Sequence, residues 1–255
     1  MSSRTLNNTL TFGDNISAYR LGRKKYPHEV ISIIKSMLKE HKASYILDVG
    51  CGTGISTRQL IGNGFSISGC DADERMIQVA KGIQNNRHIK YYQNHVDNLP
   101  FANTSFDAVT SFSSFHWFNT KKMMNEIKRV LKRHGPFVIV NVEDINNVKH
   151  SIRRNLMPYF SPNKMYRSSK RQYFPITTLQ KSQMEIAGQL HFYRTEMYSE
   201  RQLCAFVKSM KVWSNISPSN HQNAMKEVIK YFKKYQTHNY LLRDVKINVI
   251  VAIKS

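Results

Sequence analysis

An apolar run that ends in an acid, followed by glycine at every second position, carries the most specific chemistry of this 255-residue chain: Ile46-Leu47-Asp48-Val49-Gly50-Cys51-Gly52-Thr53-Gly54-Ile55-Ser56-Thr57. Glycine lets the backbone turn tightly and approach a ligand with no Cβ between them. Three such residues between a strand and a helix start place a ligand against the main chain at the carboxyl end of a strand, where open α/β sheets bind theirs. The form of the loop narrows the choice of ligand. A phosphate-cradling loop needs Gly-x-x-x-x-Gly-Lys-Ser/Thr, and no lysine follows Gly54. A dinucleotide loop reads Gly-x-Gly-x-x-Gly, whereas this one reads Gly-x-Gly-x-Gly. Further on, Asp71 closes a second apolar strand, Ile67-Ser68-Gly69-Cys70-Asp71. A carboxylate there can accept hydrogen bonds from both hydroxyls of a ribose; its plainer role would be to cap the next helix.

The twelve-residue string resembles the first motif of the class I S-adenosylmethionine-dependent methyltransferases. Other segments extend the resemblance to the subgroup called methyltransferase type 11. Asn94-His95-Val96-Asp97-Asn98-Leu99-Pro100-Phe101 and then Ser105-Phe106-Asp107 are similar to its Gly-Asp-Ala-Glu-x-Leu-Pro-Phe…Ser-Phe-Asp. Ser111-Phe112-Ser113-Ser114-Phe115-His116-Trp117-Phe118-Asn119 is similar to its Ala-Phe-His-Trp-Phe-Asp. Glu126-Ile127-Lys128-Arg129-Val130-Leu131-Lys132 matches its Glu-x-x-Arg-Val-Leu-Lys, and Tyr19 to Pro27 resembles its Tyr-x-x-x-Arg-Pro-x-Tyr-Pro. The resemblance is dense over residues 19–142 and loose beyond 146, where it points to small-molecule enzymes such as the trans-aconitate methyltransferases.

The resemblance implies S-adenosyl-L-methionine as cofactor. By it, Tyr19 and Arg23 close over the ligand, the guanidinium taking the methionine carboxylate by forked hydrogen bonding. Asp48, Gly50, Cys51, Gly52 and Gly54 form the loop side, and Asp71, Ala72 and Met76 the ribose side. His95, Val96 and Asp97 meet the adenine, and Ser111 lies at the end of the fourth strand. His95 replaces the acid that faces the adenine amine in the family, so either its neutral imidazole accepts from the amine or Asp97 reaches it. His116 and Trp117 fall near the reacting methyl. A carboxylate acceptor needs no base; for a hydroxyl or amine acceptor, His116 is the candidate general base, with an ordinary pKa of about 6.5. The competing reading of His116-Trp117 is a packed aromatic pair.

These residues need a frame. Short apolar strands ending at Val49, over 65–71, 89–93, 107–111 and 137–142 alternate with helical segments over 56–62, 74–84 and 122–132. That alternation predicts right-handed βαβ units. The expected fold is α/β, a doubly wound, mostly parallel seven-stranded sheet with helices on both faces, an antiparallel last strand at its edge and a helical lid. Residues 27–40 read as a helix with Pro27 at its start. Late strands near 189–197 and 241–253 bracket helices over 200–210 and 219–235. The expected organisation is one domain over 1–255: an N-terminal helical cap to 42, a cofactor core over 43–145, a basic irregular lid over 146–186, and closing strands and helices over 187–255.

Composition bounds the rest. Hydrophobic residues make up 41% of the chain, enough for a sizeable core. No apolar run approaches the ~18 residues of a membrane span, and MSSRTLNNTL has no apolar signal core, so a cytoplasmic protein with no membrane partner is expected. Cys51, Cys70 and Cys204 show no metal-ligand spacing. The net charge of +21 is uneven: residues 146–255 hold 19 Lys and Arg against 5 Asp and Glu, and no acid lies between Asp144 and Glu185. Such a field concentrates anions, unless it is simply a solvated lysine-rich surface. The leading expectation is methyl transfer to a small, anionic acceptor, a carboxylic acid, met by Arg153, Arg154 or Arg167. The rival within the same chemistry is an acidic carrier protein or RNA, because basic residues among aromatics suit single strands. A third reading is a non-catalytic module that binds the cofactor or nucleic acid.

Overall fold

The computed structural model describes residues 16–83, 86–117, 120–161 and 175–255. Among them, seven strands form one sheet in the order β3-β2-β1-β4-β5-β7-β6. The strands are β1 (Tyr45–Val49), β2 (Ser66–Asp71), β3 (Ile89–Gln93), β4 (Ala108–Phe112), β5 (Pro136–Asp144), β6 (Met184–Tyr198) and β7 (Leu241–Lys254). β1 to β5 run parallel, and β7 pairs antiparallel with both β5 and β6. The last strand is therefore antiparallel as expected, but it does not form the edge. It inserts between β5 and β6, and β6 takes the edge.

The two-residue period of the strands distributes the apolar side chains. Along β5, Val138 and Val140 enter one core and Phe137 and Ile139 the other. Helices cover both faces. α2 (His28–Glu40) lays Val30, Ile34 and Leu38 on the first core. α5 (Lys121–Val130), capped by the Thr120 side chain, lays Met124, Ile127 and Val130 on the second. α3 (Ile55–Gln59) and α4 (Glu74–Ile83) follow β1 and β2. The strand order turns between β1 and β4, so a crevice opens at their carboxyl ends, the ligand position of such sheets.

A third core stands at that same edge. α6 (Val148–Leu156), α8 (Glu200–Lys208) and α9 (His221–Tyr235) bury Val148, Ile152, Leu156, Leu203, Phe206 and Val228 together. The stretch expected to be an irregular lid is thus divided. Its first part is an amphipathic helix, with Val148, Ile152 and Leu156 spaced by four on the buried face. Its last part, α7 (Pro175–Lys181) and the start of β6, packs Leu179 and Met184 into the sheet core instead. Lys164, Arg167, Lys170 and Arg171 lie outside the described residues. The N-terminal α1 (Ile16–Gly22) crosses α8 so closely that a Cβ on Gly22 would overlap the Phe206 backbone. β6 and β7 continue their pairing beyond the last β5 pair, Asp144 with Val245, as far as Tyr198 with Leu241. No helix among the described residues is long and apolar enough to cross a membrane.

Candidate active site

Gly50, Gly52 and Gly54 all take left-handed conformations, with φ of 68°, 54° and 73°. Other residues adopt this region at a cost of about 1–2 kcal/mol. Asp48 stands behind the loop. It is fully buried and accepts hydrogen bonds from Ser56 Oγ at 3.2 Å, Thr57 Oγ1 at 2.6 Å and Thr110 Oγ1 at 3.0 Å. Those contacts tie β1, β4 and α3 together. Burial pushes its carboxyl up to about 6, against the pull of the three hydroxyls. Ser111 is also fully buried; it donates to Ser114 Oγ at 2.9 Å, and Ser114 donates to the Val49 carbonyl at 3.0 Å. Both brace the loop from inside: Asp48 ties to α3 and β4, and Ser111 to the turn after β4.

The open side of the loop belongs to Gly52 and Asp71. A Cβ built on Gly52 meets only the Tyr19 hydroxyl, at 3.5 Å. At Gly54 a Cβ would overlap the Tyr91 hydroxyl and lie 2.8 Å from the Arg58 guanidinium. One glycine leaves room above the loop; the other fits the protein's own packing. Asp71 Oδ2 accepts from the Gly52 N–H at 2.8 Å and Oδ1 from the Asp73 N–H at 2.9 Å. Burial raises its carboxyl. Each oxygen keeps a lone pair for another donor. Cys51 is buried, with its thiol pushed well up. Thr53 Oγ1 is buried in the same loop with no partner among the described residues. A nucleoside with two ribose hydroxyls and a chain laid along the loop fits this set: space above Gly52, a carboxylate at the end of β2, and the Tyr19 hydroxyl overhead.

Tyr19 and Arg23 reach this groove from α1 and the segment after it. Burial raises the Tyr19 phenol, and it lies in the fields of Arg23, Asp71 and Cys51. Arg23 is turned toward the end of α8, donating from Nε to Ser209 Oγ at 2.9 Å and from Nη2 to the Ser209 carbonyl at 3.0 Å. Tyr26, not singled out in the sequence, pairs with Ser113 Oγ at 2.8 Å, and Ser113 itself takes a left-handed φ of 50° at the end of β4. On the third-strand side, Val96 and Met76 are buried, Ala72 is half-buried and His95 is exposed. Asp97 forms an ion pair with Lys122 at 3.2 Å, so it is engaged at the surface.

His116 and Trp117 sit together, ring centres 4.9 Å apart, on a short 3-10 turn after β4. His116 is pushed down to about 4, first by burial and then by the charges of Lys149, Arg23 and Lys211. It is neutral at pH 7, as a base must be, but far weaker than its ordinary pKa implied. Lys211 Nζ lies 4.6 Å from the Trp117 ring centre. The basic residue that α6 turns toward this site is Lys149; Arg153 follows it by one helical turn. Arg154 is exposed, in a groove between α6 and α9 with Tyr159, Lys230 and Tyr231. The pair expected to meet the acceptor is thereby split. Lys149, Lys211 and Arg243 were missed, although the acid-free stretch that holds Lys149 was visible in the sequence.

Residues 47–139 match the methyltransferase domain of type 11. Over these residues the chain is similar to that family. YcgJ of Bacillus subtilis, an uncharacterised methyltransferase, is 27% identical over 143 residues, 53% of this chain and 55% of its own. A malonyl-[acyl-carrier protein] O-methyltransferase of Bacillus cereus is 31% identical over 114 residues, 44% of this chain and 41% of its own. The chain thus spans about half the length of the curated relatives it matches. Among solved structures, a candidate type II methyltransferase from Anaeromyxobacter dehalogenans aligns with a TM-score of 0.62 at 16% identity, covering 91% of this chain and 97% of that one. The YcgJ structure gives 0.52 at 18%, covering 89% and 99%. At such identities these structures show the methyltransferase fold alone.

Proposed function

We propose that this chain transfers a methyl group from S-adenosyl-L-methionine to a small acceptor that carries an acidic group. The observation that carries the reading is the open space above left-handed Gly52 with the Asp71 carboxylate beside it. When bound, the sulfonium cofactor supplies an activated methyl group. The chain's residues hold and orient. Gly52 gives close approach, Asp71 accepts from ribose hydroxyls, and Tyr19 covers the loop. His95 and the Val96 N–H lie on the adenine side. Holding the partners in line accounts for most of the acceleration. His116, neutral and half-shielded, can accept a hydrogen bond from the acceptor; a carboxylate acceptor needs no base. Trp117 forms an apolar wall that excludes water.

A second reading keeps the chemistry and delivers the acid on an acidic carrier protein, supported by the relative that acts on malonyl-[acyl-carrier protein]. Calorimetry with S-adenosylmethionine, S-adenosylhomocysteine and NADH tests the cofactor. NADH binding without heat from either sulfur ligand would overturn the proposal. A transfer assay with radiolabelled cofactor across carboxylic acids, phenols and acidic carrier protein then separates the two acceptors.

A further inference from the structure

Three cations surround one buried phenylalanine at the carboxyl edge of the sheet. Phe206 is 2% exposed. Arg23 Cζ lies 5.4 Å, Arg243 Cζ 5.2 Å and Lys149 Nζ 5.8 Å from its ring centre. Lys24 Nζ sits 4.6 Å from the Tyr198 ring centre, and that ring packs 5.0 Å from Phe206. Two carboxylates face this cluster, Asp144 from β5 and Glu196 from β6. Both are committed to Arg243 of β7, each at 2.7 Å, and Glu196 also accepts from the Tyr198 hydroxyl at 2.7 Å. Among the described residues Arg23 donates to neutral Ser209 and Lys24 to the Gln202 amide. Lys149 is half-buried and its backbone N–H donates to Asp144 Oδ2 at 2.8 Å, and Arg243 Nη2 is buried without an acceptor among the described residues. Once Arg243 has answered one of the two carboxylates, Arg23, Lys24 and Lys149 outnumber the other.

The chain's own segment here cannot restore the balance, because residues 145–184 contain no Asp or Glu. A half-buried ammonium among like charges either gives up its proton or takes an anion. Burial, Arg243 and Arg23 hold Lys149 down to about 7, with Asp144 and Glu196 pulling the other way. The place is also right for an acceptor. Lys149, Arg23 and Lys211 all act on His116, and the cluster shares the sheet edge with the glycine loop.

We propose that Lys149, with Arg23 beside it, forms a subsite that seats an oxyanion of the methyl acceptor, a carboxylate or a phosphate. Phe206 lines its apolar side. The proposal rests on the methyl-transfer reading.

The test is calorimetry on the full chain with S-adenosylhomocysteine present, using malonate and inorganic phosphate in separate arms and malonamide as the uncharged control. Saturable binding in one arm identifies the oxyanion. Lys149→Met should weaken it about 10-fold or more, Lys149→Arg should restore most of it, and Arg154→Ala should leave it unchanged. Binding near pH 8, measured in buffers of different ionisation heat, should take up a proton, since the anion draws it back onto Lys149. The neighbours Asp144, Glu196, Tyr198, Arg243, Arg23, Lys24, Lys211 and His116 are common to all variants. Lys149→Met should keep its S-adenosylhomocysteine affinity and melt no earlier than wild type, because it removes a half-buried charge from the fields of Arg243 and Arg23. If it does unfold, Lys149→Gln must reproduce the loss. Equal anion affinity in wild type and Lys149→Met or Lys149→Gln, or no saturable anion binding by a chain that binds S-adenosylhomocysteine, would overturn the proposal. Failure to bind S-adenosylhomocysteine at all would overturn the methyltransferase reading beneath it.

Discussion

Gly52 and Gly54 differ in what a side chain would meet, and so their substitutions should fail in different ways. Gly52→Ala puts a methyl into the space above the loop, near the Tyr19 hydroxyl only. It should cost about 1–2 kcal/mol of stability from its positive φ and lose S-adenosylhomocysteine affinity at least about 10-fold. Gly54→Ala drives the same methyl into Tyr91, so its main effect should be a lower melting temperature. If both lose affinity in proportion to stability, the space above Gly52 is not a ligand site. Asp48 yields a pH prediction. Its carboxyl is held at about 6 against an ordinary 3.8, so between those values the folded chain keeps a proton that the unfolded chain has released. Stability from this group is therefore greatest at low pH and falls as pH rises from about 4 to about 6, by about 3 kcal/mol for a two-unit shift. The melting difference between Asp48→Asn and wild type should move in the variant's favour across that window; a flat difference would mean an ordinary carboxyl. The loop itself was legible because only glycine tolerates its backbone angles. The inward turn of Asp48 and Ser111 was not, since a motif does not tell which face of a strand end a side chain takes. Lys149 of α6 and Arg243 of β7 meet around Phe206 of α8, a long sequence separation that no local pattern encodes.

At the scale of elements, the crossing of α1 and α8 carries Tyr19 and Arg23 over the groove. Gly22 permits it, because a Cβ there would lie against the backbone of Ala205 and Phe206, which cannot rotate away. Gly22→Ala should cost about 1–3 kcal/mol, the range for forced overpacking. It should also weaken S-adenosylhomocysteine binding by displacing α1. Gly82, in α4 with open space around its Cβ position, supplies the control: Gly82→Ala should raise the melting temperature slightly and leave binding alone. Unchanged binding in Gly22→Ala would detach α1 from the site. The strands of the parallel half were read nearly to the residue, because buried parallel strands are continuous apolar runs. α6 was overlooked although Val148, Ile152 and Leu156 keep a four-residue spacing; the basic residues and prolines around it suggested irregular chain. The position of β7 was beyond reach from sequence, since pattern gives the existence of a strand and not its neighbours. That insertion matters here, for it brings Arg243 onto Asp144.

The whole molecule sorts its charge along the chain, and its net of +21 bears on whether the acceptor is a small anion or a nucleic acid. The described surface offers a nucleic acid the groove between α6 and α9, about 440 Å³, where Arg154, Lys230 and Lys234 stand with Tyr231 and Tyr235 but also with Glu227. Three cations can neutralise at most three phosphates. With a slope near −0.7 per contact for single strands, the log–log salt dependence of oligonucleotide binding should be no steeper than about −2. It should also be indifferent to S-adenosylhomocysteine, because the groove lies apart from the glycine loop. A malonate or phosphate ion seated at Lys149 meets one or two cations, so its affinity should fall only several-fold between 50 and 300 mM salt; partly buried charges are screened less than exposed ones. Fluorescence anisotropy with a labelled 12-nucleotide RNA, set beside calorimetry with the small anion, compares the two on one preparation. An RNA slope near −5, coupled to the cofactor product and lost in Arg154→Ala with Lys230→Ala, would shift the acceptor to nucleic acid. A shallow, uncoupled slope leaves the groove as a solvated basic surface and the small acid at the Lys149 cluster, because that cluster combines an excess of positive charge with proximity to His116.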